Sequence, residues 1–441
     1  MFKSRLPALE FDRRSEVVVD RTDVVVFDLC QTRCTLCIAH KERNDMDERM
    51  VILGAGHAGG AAALCLRELG FTGQINLIGE EAHPPYERPT LSKAFLSGAD
   101  AEPVWLADEA RWRDLDVQLT LGVSGIALDR ETRVVTLSDG SSAAYDTLIL
   151  ATGGRVRRLD VADHPRIHHL RTADDARVLA AAARPGARAV IVGGGVIGLE
   201  AASTLVDLGL SATVLEAGDR LLGRNIPEEA AGWLAAAHGR IGVEVRLDRS
   251  VRTVEHRADA LKIQLDDGAT LEADLMVVGI GIIPCTELAQ AAGLPTAGGV
   301  LVDSRYRSLG DERIFAIGDL AARTWGDGLA PRRMETWAHA RTSARAAALA
   351  ILGQAAEPEP APWFWTAQCG HMLQIVGDPG AGETVIARGD GVRLYVRDDV
   401  LVGAVCLDQP RDFGTAKRLI GKALVAERAG DPATDLRKAA A

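Results

Sequence analysis

From residue 50 onward the chain alternates short apolar runs with glycine turns and helical stretches. Residues 50–53 are apolar throughout, and Gly54-Ala55-Gly56-His57-Ala58-Gly59 follows them. An Ala/Leu-rich stretch runs to Leu69, and the next apolar run, 74–78, leads to Glu80. Apolar runs of this length, bounded by glycine, predict buried parallel strands, and the stretch between them predicts a helix. The same order returns at 189–192, Gly193-Gly194-Gly195-Val196-Ile197-Gly198, a helical stretch to Leu208, then 211–215 and Glu216. Further strands are expected at 145–150, 275–278 and 314–317. They end in Ala151-Thr152-Gly153-Gly154, Gly279-Ile280-Gly281 and Gly318-Asp319. Past the Pro-rich linker 357–362, alternation at 374–376, 384–387, 393–396 and 402–407 predicts more strands. A closing helix is expected at 415–427.

The chain has 441 residues, enough for two to four domains. An apolar fraction of 47% and a charged fraction of 25% exclude a disordered chain or a stapled mini-scaffold. The formal charge of −11 argues against nucleic acid or an anionic membrane as partner. No run approaches 18 apolar residues, so no membrane span is expected. Residues 1–12 lack the apolar core of an export signal, so a cytoplasmic location is expected. The seven cysteines then read as free thiols.

Cys30, Cys34 and Cys37 have the C-x3-C-x2-C spacing of a radical-SAM cluster motif. The segment is too short for the barrel such a site needs, and only His40 offers a fourth ligand. Residues 1–45 therefore read as an extension outside the fold, disordered or preceding a natural start at Met46 or Met50. No metal is expected.

The two glycine motifs carry the clearest chemistry. Gly54 permits a tight turn, Gly56 lets a pyrophosphate approach the backbone, and Gly59 allows close helix–strand packing. The helix N-terminus then offers unpaired N–H groups to phosphate. Glu80, 26 residues beyond Gly54, is placed to accept from a ribose diol. Gly193, Gly195 and Gly198 repeat the device, with Glu216 23 residues beyond Gly193. A carboxylate there suits the 2′-hydroxyl of NADH and repels the 2′-phosphate of NADPH, with Arg220 the nearest opposing cation. Two dinucleotide units in one chain suggest resident FAD in one and exchanging NADH in the other. Thr152, Gly153, Gly279 and Gly281 read as strand ends returning beneath the dinucleotides, and Asp319 as an acid delivered at a strand end.

On these residues the chain resembles the two-dinucleotide-binding flavoprotein superfamily. Within it, the resemblance is to ferredoxin reductase components of aromatic-ring-hydroxylating dioxygenases. Putidaredoxin and rubredoxin reductases and apoptosis-inducing factor are related. It spans residues 48–441 and rests further on Pro85-Tyr86-Glu87-Arg88-Pro89-Thr90-Leu91-Ser92-Lys93, Leu199-Glu200, Phe315–Asp319, Glu335-Thr336-Trp337, Pro362-Trp363-Phe364-Trp365 and the tail 431–438. The resemblance implies an α/β fold, with two Rossmann-like domains and a small α+β C-terminal domain covering the flavin. It implies that Arg88 and Lys93 contact the flavin side, that Lys93 pairs with Glu200, and that Asp319 binds the FAD ribityl chain. Glu335, Trp337 and Trp365 would close over the ring. It also implies a [2Fe–2S] ferredoxin of an aromatic-hydrocarbon pathway as partner. The family's Ser-Asp-Gln after the Trp-rich motif is here Thr366-Ala367-Gln368, which puts polar contacts at Ala367 in doubt. Val156 stands where proline is common.

The expected layout is an FAD domain at 46–154 and 278–355, an NADH domain at 155–277 and a C-terminal domain at 356–441. A monomer or homodimer is expected. Thiol-dependent and NADH-oxidase members of the superfamily that the chain resembles carry reactive cysteines in the stretches matching 86–96 or 193–281. These contain none here, and the resemblance so implies neither a stand-alone NADH oxidase nor a thiol-dependent reductase. An NADH-sensing flavoprotein is the third alternative, disfavoured by the acidic charge. Arg332, Arg333, Arg341 and Arg345 are the candidate cations for an acidic partner.

Overall fold

The computed structural model describes residues 15–19, 24–28, 38–39, 48–223, 226–325 and 329–441. Strands Ser15–Val19, Val24–Asp28 and Ile38–Ala39 form a small antiparallel sheet in a unit of their own. Cys30, Cys34, Cys37 and His40 lie outside the described residues.

Residues 49–441 form one compact unit, whose three largest sheets position the site. In the first sheet, the glycine-motif strand Arg49–Leu53 lies between Gln74–Gly79 and Thr147–Leu150, all parallel. Val117–Leu121 extends one edge, and Asp311–Ala316 extends the other beside Leu148–Leu150. Met50, Ile52, Leu53, Leu77 and Leu148 are fully buried, as both-faced burial of a parallel sheet requires. One face carries helix His57–Glu68, whose Ala61, Ala62 and Ala63 pack against helix Trp337–Ile351 with its Ala344, Ala347 and Ala348. Side chains this small let the two helix backbones come close.

The second sheet repeats the plan. Arg188–Val192 lies between Leu275–Val278 and Ser211–Leu215, with Ile167–His168 and Glu244–Arg246 at the edges, all parallel. Helix Val196–Asp207 follows its glycine turn. The two sheets are joined by the antiparallel pair Gly154–Val156 and Ile282–Pro284, where Val156 lies.

The third sheet is antiparallel, in the order Trp363–Gln368, His371–Gly377, Val400–Leu407, Val392–Arg397 and Thr384–Arg388. The expected closing helix is displaced and broken: it runs Pro410–Leu419, and a short second helix follows at Ala426–Gly430. Gly421, at φ +81°, turns the chain back so that its N–H reaches Leu401 and the Lys422 carbonyl receives the Leu401 N–H. Helix Glu228–Arg240 fastens the second sheet to the third. Arg393 grips Glu229 at 2.6 Å and lies over Trp233, and Arg240 reaches His371 at 3.3 Å.

Candidate functional site

The two glycine loops are built alike. Gly54 has φ +111°, and a Cβ there would fall 2.2 Å from the Ala151 carbonyl oxygen. Gly193 has φ +107°, and its Cβ would fall 2.5 Å from the Gly279 oxygen. Each loop is thus pressed against the end of a returning strand, as expected for 151–154 and 279–281. Gly59 and Gly198 sit against the carbonyls of Gly54 and Gly193, where a Cβ would approach to 1.9 and 2.1 Å. The middle glycines differ: a Cβ on Gly56 meets nothing nearer than Arg88 at 3.6 Å, and one on Gly195 nothing nearer than 4.0 Å. Gly56 and Gly195 also cap their helices with no side-chain acceptor, so the first N–H groups face open space. Each cradle has the shape and polarity a pyrophosphate needs.

Both cradles open into one cavity of about 2310 Å³. That exceeds the range of roughly 300–1,000 Å³ usual for a single small-ligand site. Thr152, Gly153, Gly279, Gly281, Asp319 and Trp365 all line it. Glu80 stands exposed at the rim after strand Gln74–Gly79. Glu216, at the end of Ser211–Leu215, accepts from the Gly194 N–H at 2.7 Å and the Gly218 N–H at 2.8 Å. Arg220 is turned to the Gly223 carbonyl.

Between the cradles, Lys93 Nζ lies 2.6 Å from Glu200 Oε2. Glu200 projects from helix Val196–Asp207 and is only 2% exposed. Its carboxylate also accepts from Ser92 Oγ at 2.5 Å and Thr366 Oγ1 at 2.7 Å. Thr204 holds the Ser92–Lys93 turn through the Ser92 carbonyl at 2.7 Å. Arg88 is elsewhere in the cavity, beside Gly56, pinned by Glu81 at 2.6 Å and by the Arg171 carbonyl. Asp319 follows strand Asp311–Ala316 on the Gly318 turn, 3.4 Å from Arg171. Burial pushes its carboxyl up, Arg171 opposes this, and Glu335 reinforces it. Glu335 is itself paired with Arg333.

Trp337 and Trp365 meet edge-on at 5.4 Å, and Trp363 stacks on Trp365 at 5.5 Å. Arg341 lies 5.1 Å over Trp337 and Lys417 lies 4.1 Å over Trp363. Of the four candidate cations, Arg333 is taken by Glu335 and Arg345 by Glu357. Arg341 is exposed and makes no ion pair among the described residues, and Arg332 is exposed as well.

Several contributors escaped sequence reasoning. His57, directly after Gly56 in the first motif, is buried in the cavity wall 5.3 Å from Trp337. Burial, then Arg341 and Arg88, lower its imidazole to about 4. Ser92 and Thr366 reach Glu200, and the alternation of Thr366 and Gln368 on one strand was the available signal. The four described cysteines are unpaired, and burial raises every thiol, Cys406 to about 12. Cys285 alone of these lines the cavity. No helix among the described residues is long and apolar enough to cross a membrane.

Residues 48–344 match the family model for pyridine nucleotide-disulphide oxidoreductases, and 363–440 match that for a reductase C-terminal domain. The chain is 37% identical over 402 residues to the biphenyl dioxygenase system ferredoxin–NAD(+) reductase component of Paraburkholderia xenovorans, covering 89% of this chain and 98% of that one. It is 37% identical to the benzene 1,2-dioxygenase system ferredoxin–NAD(+) reductase subunit of Pseudomonas putida, covering 87% and 94%. Among solved structures, the covalent putidaredoxin reductase–putidaredoxin complex superposes with a TM-score of 0.84 at 32% identity, over 89% of this chain and 97% of that one. Two nucleotide cradles, a charged pair between them and a C-terminal sheet over them agree with this kinship: the chain belongs to the pyridine nucleotide-disulphide oxidoreductase family, in the branch that ends in a reductase C-terminal domain.

Proposed function

We propose that this chain is an FAD-dependent NADH:ferredoxin oxidoreductase, serving a [2Fe–2S] ferredoxin of an aromatic-ring-hydroxylating dioxygenase system. The observation that carries the reading is the single cavity joining two glycine cradles, with Lys93–Glu200 at their junction. The kinship with dioxygenase-system reductases supports the partner. A bound flavin supplies the needed chemistry, accepting a hydride as an electron pair and releasing electrons singly.

The protein's own residues bind, orient and shield. Gly54, Gly56 and Gly59 would hold the FAD pyrophosphate, with Arg88 beside Gly56 and Glu80 toward the ribose. Asp319 would take the ribityl chain. Gly193, Gly195 and Gly198 would hold NADH, and Glu216 its ribose. Lys93 would offer positive charge to the negative charge of a reduced ring, and Glu200 keeps that ammonium paired. Trp337 and Trp365, which line the cavity, would shield the ring from water. Arg341 offers exposed charge and Lys417 half-buried charge to an acidic partner beside the tryptophans. The sheet memberships support the division into 46–154 with 278–355, 155–277 and 356–441, save that Val278 still belongs to the second sheet.

The raised thiols disfavour a cysteine mechanism, because the thiolate is the reactive form. The test is an absorbance spectrum of the purified protein followed by anaerobic NADH titration. Flavin bands bleached by NADH, with fast turnover only when a one-electron acceptor or ferredoxin is added, support the reading. Comparable turnover with oxygen alone would falsify it in favour of an oxidase.

A further inference from the structure

The hydrogen bonds that hold Glu200 continue past the cavity wall. Thr366 Oγ1 lies 2.7 Å from Glu200 Oε1, Gln368 Nε2 lies 2.8 Å from Thr366 Oγ1, and His238 Nε2 lies 2.6 Å from Gln368 Oε1. Thr366 and His238 are fully buried and Gln368 is 4% exposed. Thr366 and Gln368 lie on strand Trp363–Gln368, while His238 stands in the last turn of helix Glu228–Arg240. Two parts of the molecule thus meet on one carboxylate.

Such a chain has two polarities, and its ends choose between them. A carboxylate only accepts, so Thr366 must donate to Glu200. The Gln368 amide nitrogen must then face Thr366, and its oxygen must receive the His238 Nε2–H. In this arrangement His238 Nδ1 carries only a lone pair, and it has no partner among the described residues. The opposite polarity, which only a proton on Glu200 Oε1 would require, would place an N–H at Nδ1 with nothing among the described residues to receive it. A buried N–H without an acceptor is the costlier defect. Burial also disfavours the doubly protonated imidazole that could donate in both directions.

We propose that Gln368 and His238 are positioning residues that, acting through Thr366, fix the orientation of the Glu200 carboxylate and so keep the Lys93 ammonium in place beside the flavin. The proposal rests on the flavin reading above. Its donors also spread the negative charge of Glu200 away from the cavity. Breaking the chain lets the carboxylate turn and its ammonium partner withdraw, which leaves the surroundings of the ring less positive and the flavin harder to reduce.

The experiment is an equilibrium redox titration of the flavin-loaded protein against a reference dye. Gln368→Leu should weaken two-electron reduction roughly tenfold, a fall of about 30 mV in midpoint potential. Thr366→Val should do at least as much, and Thr366→Ser, which keeps the hydroxyl, should return close to the unsubstituted value. Adding Gln368→Leu to Thr366→Val should produce no further shift, because the link is already cut. An unchanged potential in Gln368→Leu overturns the proposal, as does an undiminished effect in the Thr366→Val background. In both cases NADH still bleaches the flavin, so the underlying reading stands. A purified chain that takes up no flavin overturns both.

Discussion

Lys93 and Glu200 are 107 residues apart and come from different nucleotide units, yet their charged atoms stand 2.6 Å apart. The lysine is a quarter exposed to the cavity and the glutamate is buried. Removing the lysine therefore leaves a buried charge without its partner. Lys93→Met should cost about 3 kcal/mol of stability and slow flavin reduction by NADH. The double variant Lys93→Met/Glu200→Gln should regain most of the stability and none of the reduction rate. Urea unfolding and anaerobic stopped-flow on the same preparations separate the two effects.

The glycines divide into those the fold needs and those the ligand needs. Gly59→Ala drives a Cβ onto the Gly54 carbonyl and should destabilise by about 1–3 kcal/mol or more. Gly56→Val faces open cavity, so the protein should fold and elute without flavin. Gly195→Val should fold, keep its flavin and lose NADH binding. Circular dichroism, flavin absorbance and NADH titration read the three outcomes.

Charge placement around the tryptophans narrows the candidate docking surface. Arg341→Glu and Lys417→Glu should each raise the ferredoxin KM roughly tenfold at low salt, and less as salt screens the contact. Reduction of a small dye by NADH should not change. Arg345→Glu should have little effect on ferredoxin, because Glu357 already occupies that cation. Equal effects from all three would point to a diffuse field rather than a local surface.

Two buried imidazoles set an acid limit. Burial lowers His57 and His339 to about 4, well below their value in an unfolded chain. Between about pH 6.5 and 4 the unfolded state binds protons that the folded state refuses, so stability falls as pH falls through this window. It levels off below about 4 for these two groups. The urea midpoint should drop from pH 7 to pH 4.5, and His339→Gln should flatten part of that slope.

How much of this the chain announces depends on how local each feature is. The glycine motifs are legible because turn, close approach and helix start lie within six residues. The returning strands at Leu150 and Val278 are legible because a buried parallel strand reads as an unbroken apolar run. The Trp363–Gln368 strand escaped the alternation pattern because aromatic residues occupy three successive positions. The closing helix was misplaced because Gly421 ends it from within and Pro410 starts it early. His238 gave no sign, since its partner Gln368 lies 130 residues away. The pairing of Lys93 with Glu200 was reached through family resemblance, never through spacing.

The bracing of each glycine loop against a returning strand also orders events during synthesis. Gly193 meets its brace at Gly279, and the whole second sheet is complete once Leu275–Val278 has emerged. The first sheet still lacks Asp311–Ala316 at that moment, although its own glycine loop left the ribosome long before. The growing polypeptide thus carries a finished nucleotide module in the middle of an unfinished one. For that interval, the open edge of Thr147–Leu150 is where a chaperone or a wrong strand would compete.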